Sequence, residues 1–393
     1  MRIKNLDVLR TVAVVLVLGQ HFEINALWSK IGWFGVDLFF VLSGFLVSGL
    51  LFSEYKTYGK IRALNFYARR GLKIYPAFYT LMAFTIIWQL FIVHELPMRN
   101  LLAELLFYQN YVYGFWWHTW SLAVEEHFYF LLPITLLVMI KMSSAKSADP
   151  FRHIPKLFLV IAVLLLTGRL LTLVLGGDNY RYAVGFSTHL RIDSLFFGVT
   201  LSYYRHFRSD IYDRISNHRL LPVIAAISIT ACVVFSSVSM FMLSIGLCIL
   251  YIGFGCILLI SLRERAAAQN RIISKIVSIV AGIGFYSYSI YLWHMAMKDW
   301  GLRAIRYALK RIDIPFLSSL YERMDYLIYI FGSIVLGIVM AKLVELPVLK
   351  LRDRIFPSRS KSLVKPAGER VMQRPEMPAL EYAPELQGQT NRP

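Results

Sequence analysis

Phe241-Met242-Leu243-Ser244-Ile245-Gly246-Leu247-Cys248-Ile249-Leu250-Tyr251-Ile252-Gly253-Phe254-Gly255-Cys256-Ile257-Leu258-Leu259-Ile260 runs for twenty residues without a charged side chain. A helix of that length rises about 30 Å, the thickness of a bilayer's hydrocarbon core. Apolar and polar residues do not alternate along it, so it does not suit a barrel strand, whereas a helix pairs its own main-chain groups inside lipid. Moving outward in both directions, similar runs recur at 8–25, 33–52, 75–93, 121–140, 157–175, 191–204, 221–239, 276–297 and 326–347. The expected fold is all-α: a polytopic helical membrane protein with about ten transmembrane helices. The apolar stretch 100–112 is too short to cross and reads as interfacial or re-entrant.

Composition agrees. Of the 393 residues, 57% are hydrophobic and 17% charged, where a soluble domain carries about 25% charge. Mean hydropathy is +0.55. Disorder, collagen and a soluble secreted module are excluded. The net charge of +18 would suggest nucleic acid in a soluble chain, but here the basic residues lie between apolar runs and orient them, so no nucleic-acid partner is expected. Cys232, Cys248 and Cys256 all fall in apolar runs without metal-ligand spacing, which argues against a disulfide framework and against a bound metal. The start resembles a signal peptide but has no small-residue cleavage site, so it reads as a retained first helix.

With a cytoplasmic N-terminus, the inner connections hold 20 Lys+Arg and the outer ones 10, and residues from 350 onward add 9 inside. This bias places both termini in the cytoplasm. The connection 298–325 is an exception, because it is basic on the outer side. From about residue 356 prolines punctuate a polar stretch. The expected organisation is a membrane domain over 1–350 and a disordered cytoplasmic tail over 351–393.

Charges within the apolar runs need a partner or a task, since each costs at least about 2.5 kcal/mol at bilayer depth. Arg10 and His21 are eleven residues apart, about 20° past three helical turns, so they share a face about 16 Å apart. Glu125 and Glu126 open the run at 121–140, Arg191 and Asp193 open that at 191–204, and His294 closes that at 276–297. Arg191 and Asp193 do not face each other on a helix, so each is expected to pair with another helix; Glu125 or Glu126 is available to Arg191. Under the inferred topology these groups converge toward the outer side, which suggests one outward-opening polar pocket containing a base, acids and aromatics. Arg69, Arg70 and Lys73 cluster on the inner side, either as positive-inside anchors or as a phosphate-binding patch.

These residues carry a family resemblance. Leu6-Asp7-x-Leu9-Arg10 with His21 eleven on, Phe34 to Phe45, Arg69-Arg70, Trp120-Ser121-Leu122 with Glu125-Glu126 and Phe128-Tyr129, Arg191-x-Asp193, Ser287-Tyr288 with Tyr291-Leu292 and His294, and Glu345-Leu346-Pro347 occur in order across 6–347. In this series the chain resembles the acyltransferase-3 family, integral membrane O-acyltransferases of surface and secreted glycans. Two positions depart from the family pattern: Lys73 stands where an Arg is usual, and His127 where a Gln is usual. A point charge at 73 replaces a bidentate fork.

The resemblance implies transfer of an acyl group, most often acetyl, from acyl-CoA to a hydroxyl of a glycan of exopolysaccharide or O-antigen type. It implies a bacterial inner membrane setting with membrane lipid around the helices, acetyl-CoA as co-substrate, and a glycan or lipid-linked glycan as acceptor. His21 is the expected general base, with Arg10, Glu125 and Glu126 as its catalytic neighbours. Arg69, Arg70, Lys73 and Ser43 are expected at the CoA donor, and Trp120, Arg191, Asp193, Tyr291 and His294 at the acceptor. Since the chain ends in a short tail, it is expected to act as a stand-alone transferase. A transporter or flippase of a glycan or acyl precursor is the alternative, because buried His, Arg and Glu also suit proton relays, although no inverted repeat supports it.

Overall fold

The computed structural model describes residues 3–22, 26–143, 149–177, 180–235, 239–263, 271–312 and 315–357. The longer helices are α1 (Lys4–Phe22), α2 (Phe34–Tyr58), α3 (Ala63–Trp88), α4 (Met98–Leu105), α5 (Trp120–Met142), α6 (Ile154–Leu175) and α7 (Asp193–Phe207). They continue as α8 (Leu221–Val234), α9 (Leu247–Ser261), α10 (Arg271–Phe285), α11 (Ser287–Ala296), α12 (Leu302–Ile312), α13 (Pro315–Met340) and α14 (Leu346–Ile355). Among the described residues there is no strand.

Within the described residues each of the ten expected segments falls mainly on helix, residues 23–25 and 236–238 lying outside them, and the number that qualifies as a span by length and apolarity is smaller. Six helical stretches qualify, and two further helix pairs qualify if each pair, bent by 69° or 62°, counts as one span. The described residues thus hold about six to eight apolar candidate membrane helices, against the expected ten. The two that fall short have clear reasons. α1 carries Lys4, Asp7 and Arg10 within 19 residues, and α7 is only 15 residues long. Both lie inside the bundle, where neighbouring helices cover them: α1 packs on α2, α10 and α11, and α7 packs along α2 and α6.

The same logic orders the bundle from centre to rim. The most apolar window of the stretch containing α2 is 78% buried, whereas that of α6 is 11% buried and leaves Leu159, Val163, Leu164 and Leu171 on the outside. An apolar surface of that kind is stable against lipid rather than water.

Small residues set the closest approach. At Gly44 a Cβ would lie 1.9 Å from the Leu195 carbonyl oxygen, and at Gly198 a Cβ would lie 2.3 Å from that of Val41. α2 and α7 thus touch backbone to backbone, the contact small residues permit between membrane helices. Helix interiors also tolerate Pro76 in α3 and Pro133 in α5.

Helix continues to near the C-terminal end of the described residues. α14 runs to Ile355, five residues past the expected limit at 350, and Asp353 pairs with Arg69 of α3 at 3.0 Å. The expected tail from 358 onward lies outside the described residues.

Candidate active site

Between α1, α2, α3, α5 and α11 lies a cavity of about 830 Å³, its open mouth included. Three cations line it: Arg10, Arg70 and Lys73. Arg70 and Lys73 are three apart on α3 and therefore share a face. Arg69, one position back, points elsewhere: it pairs with Asp353 and donates to the Phe356 carbonyl. Of the three cations expected together over 69–73, two line the cavity, and Arg10 of α1 is the third cation there.

Facing the cations are Glu125, Glu126 and Glu345. Glu125 and Glu126 are neighbours about 100° apart on α5, yet both reach the cavity because it lies between α5 and two other helices. Glu125 turns toward α2 and accepts from Ser43 Oγ at 3.0 Å and from Tyr129 Oη, while Glu126 turns toward α3 and accepts from Tyr75 Oη at 3.0 Å. Ser43 was expected at the donor; its hydroxyl hydrogen is already committed to Glu125. The Arg70 guanidinium stacks 4.2 Å from the Tyr129 ring, which leaves its edge free to bond an anion. Tyr129, Tyr288 and Glu345 also line the cavity, three residues to which sequence reasoning gave no role.

His21 is not among the residues that line this cavity. Its ring stands in a second cluster, 5.0 Å from that of His294 and 6.5 Å from that of His118; His118 and His294 are 4.7 Å apart. Tyr291 joins the two regions. Its side chain lines the cavity, its ring lies 5.6 Å from both His118 and His294, and its hydroxyl contacts Ser121 Oγ at 2.6 Å and the His118 carbonyl at 2.7 Å. The cavity and the histidines are thus separated by a wall one side chain thick. Lys298, on a π turn over Met297–Gly301, donates to the main-chain carbonyl of His21 at 2.6 Å. Among the described residues no group of His, Cys, Asp and Glu has the arrangement to hold a metal ion.

The single outward pocket expected from the sequence is therefore two regions, and a third set of residues belongs to neither. Arg191 pairs with Asp37 of α2, its Nη2 lying 3.0 and 2.9 Å from the two carboxylate oxygens. Asp193 pairs with Arg169 of α6 at 2.6 Å. All four are buried, and none lines the cavity. Each charge does pair with another helix, as expected, but the partner of Arg191 is Asp37 rather than Glu125 or Glu126. Trp120 is likewise outside the lining; it packs edge-on to Phe40 at 5.9 Å and lies under the Arg191 guanidinium at 5.5 Å. The signals for Asp37 and Arg169 were present as lone charges in apolar runs.

Comparison with known proteins gives this arrangement its context. The family profile described as an acyltransferase domain matches residues 3–342, nearly all of the described bundle. The chain belongs to the acyltransferase-3 family. Acyltransferase-3 relatives include the peptidoglycan O-acetyltransferase OatA of Listeria monocytogenes, 30% identical over 320 residues, which are 74% of this chain and 49% of that protein. O-acetyltransferase OatA of Staphylococcus aureus is 27% identical over 384 residues, 89% of this chain and 58% of that protein. A putative peptidoglycan O-acetyltransferase, YrhL of Bacillus subtilis, is 30% identical over 224 residues, 51% of this chain and 33% of that protein. The chain thus spans about half the length of the curated relatives it matches. No solved structure gives a significant match.

Proposed function

We propose that this chain transfers an acetyl group from acetyl-CoA to a hydroxyl of a cell-surface glycan at a bacterial inner membrane, with both termini cytoplasmic and His21 as general base. The observation that carries the reading is the cavity itself: cations at Arg10, Arg70 and Lys73, carboxylates at Glu125 and Glu126, and at its end Tyr291 with the histidines behind it. The relatives' names add peptidoglycan to exopolysaccharide and O-antigen as candidate acceptors.

In this reading Arg70, Lys73 and Arg10 hold the phosphates of the CoA donor through charge-assisted bonds. The pantetheine arm lies along the apolar wall formed by Val36, Phe39 and Phe40 and points the thioester at Tyr291. Glu125 and Glu126 do not touch His21; they fix Ser43, Tyr129 and Tyr75 and so hold the cavity's shape. The acceptor hydroxyl meets His21 from the other side, where that ring is half-buried. As the hydroxyl oxygen attacks the thioester carbonyl, its proton passes to a ring nitrogen of His21. The C–S bond then breaks, the thiolate takes the proton from His21, and an ester and CoA leave. Tyr291 must turn aside for the two substrates to meet.

The deciding assay uses the purified chain in detergent with radiolabelled acetyl-CoA and a glycan acceptor. Acetyl transfer with loss of the thioester supports the reading. Intact acetyl-CoA, with glycan movement across proteoliposomes instead, would replace it by the carrier reading.

A further inference from the structure

His118 and His294 are 1% and 0% exposed, and each commits one ring nitrogen to a main-chain carbonyl. His118 Nε2 lies 3.1 Å from the Leu292 carbonyl oxygen, and His294 Nδ1 lies 2.5 Å from that of Tyr291. A carbonyl oxygen only accepts, so these two nitrogens carry the hydrogens. In the neutral rings the remaining nitrogens, His118 Nδ1 and His294 Nε2, are bare lone pairs, and both are buried without a hydrogen-bond partner. Buried acceptors left unbonded are costly and call for an explanation.

His21 supplies one. Its ring is half-buried and forms no hydrogen bond within the protein among the described residues; only its main-chain carbonyl is held, by Lys298. Rotation about the last torsion of a histidine is soft. The two neighbours are pinned by backbone, and the third ring turns between them. A base needs a third group to orient it, and a carboxylate usually does so. Among the described residues no carboxylate is paired with any of the three rings, and the nearby ion, Lys298, is a cation.

We infer that His118 and His294 are positioning residues for His21: neutral, backbone-locked acceptors whose bare nitrogens receive its N–H and favour the ring after it has taken the hydroxyl proton. The inference rests on the proposed role of His21. The His294 ring lies 5.0 Å from that of His21 between centroids, and His118 stands edge-on to both rings. No atom is gained or lost in the cycle: the proton comes from the acceptor hydroxyl, stays on His21 while the C–S bond breaks, and leaves on the thiolate. No role was expected for His118 from its spacing, although its carbonyl also anchors Tyr291.

The test exploits the opposite tautomers. At 118 a Gln amide reproduces the donor to Leu292 but loses the acceptor at the δ position, whereas Asn keeps an acceptor there. At 294 the roles reverse: Asn reproduces the donor to Tyr291, and Gln keeps an acceptor at the ε position. H118N and H294Q should each retain at least about tenfold more kcat than H118Q and H294N, with donor KM the same in all four. A merely structural role would not produce this crossed order. Gln and Asn behaving alike at both positions, or effects confined to KM, would overturn the inference. Thermal unfolding of each purified variant is read alongside, and if one position's pair fails to fold, the pair at the other position decides. A wild-type chain without transferase activity, or an active His21→Ala variant, would instead refute the underlying reading.

Discussion

On one side of Tyr291 the molecule gathers ions of both signs, and on the other it gathers imidazoles with a single ammonium. The cavity holds Arg10, Arg70 and Lys73 against Glu125, Glu126 and Glu345 and stays open at its mouth. The histidine cluster holds three imidazoles, two of them buried and fixed by backbone carbonyls, with one ammonium at its edge. The proposed function gives the contrast two tasks. In that proposal a polyanionic donor is bound by formal charge, which is tolerable near water because opposite charges are at hand. Proton transfer needs a group that gains and loses charge near neutral pH, and an imidazole is such a group.

This division makes the largest prediction. His21→Ala should lower acyl transfer by about 10²- to 10⁴-fold, the usual share of a general base, and leave donor KM near its original value. Arg70→Ala should do the reverse and raise donor KM by about tenfold to a hundredfold, since a charge-assisted bond contributes about 1.5–3 kcal/mol. Steady-state kinetics with varied acetyl-CoA separates the two. Effects on the same parameter would mean that the cavity and the cluster are one site rather than two.

Next in size is the pair that belongs to neither region. Asp37→Ala leaves the Arg191 guanidinium buried and unpaired, and removing one partner of such a pair costs about 3–5 kcal/mol. The expected outcome is a sharp loss of folded protein in detergent, while any folded remainder keeps its donor KM. A stable Asp37→Ala protein with weakened acceptor use would return Arg191 to the active site. Smaller again is Arg69→Ala. Its partner Asp353 is 55% exposed, and pairs of this kind contribute about 0–1 kcal/mol. Donor KM should change by no more than about twofold, and a rise matching that of Arg70→Ala would place Arg69 at the donor after all.

The helices were legible in the sequence because apolarity is a local property: each expected segment falls on helix, and the lone charges at Arg10, Glu125, Glu126, Arg191 and Asp193 were rightly singled out as needing partners. The partners themselves were not legible. Asp37 lies 154 positions from Arg191, and Arg169 lies 24 from Asp193; which charges meet depends on the crossing of α2, α6 and α7, set by backbone contact at Gly44 and Gly198. The helices that qualify as spans by length and apolarity are fewer than the ten expected, for a related reason. Apolarity distinguishes buried from exposed segments, but it does not distinguish a span facing lipid from a helix such as α1 enclosed by other helices. Helical periodicity put Arg10 and His21 on one face, as the continuous α1 does, yet that face passes two different environments along its length. Rotamer and tautomer decide which ring takes part at His118, and neither is written in residue spacing.

The smallest effect concerns the brace beneath His118. Glu104, on α4 between the spans and 0% exposed, accepts from the main-chain N–H of Trp116 at 3.0 Å and from Thr119 Oγ1 at 3.1 and 3.0 Å, thereby clamping the turn that carries His118. Burial pushes its carboxyl up to about 7, partly offset by those donors. An acid whose folded-state pKa exceeds its unfolded value holds more protons when folded. Its contribution is therefore complete below the unfolded value of about 4.5 and fades as pH rises through about 7. Glu104→Gln has no such proton to lose. Between about pH 5.5 and about pH 8.5 the wild-type unfolding temperature should fall further than that of the variant, by a few degrees. Because the clamp acts on the turn and not on the cavity, donor KM should not follow this trend. Parallel unfolding curves for the two proteins would show that Glu104 stays charged and that the turn is held by its geometry alone.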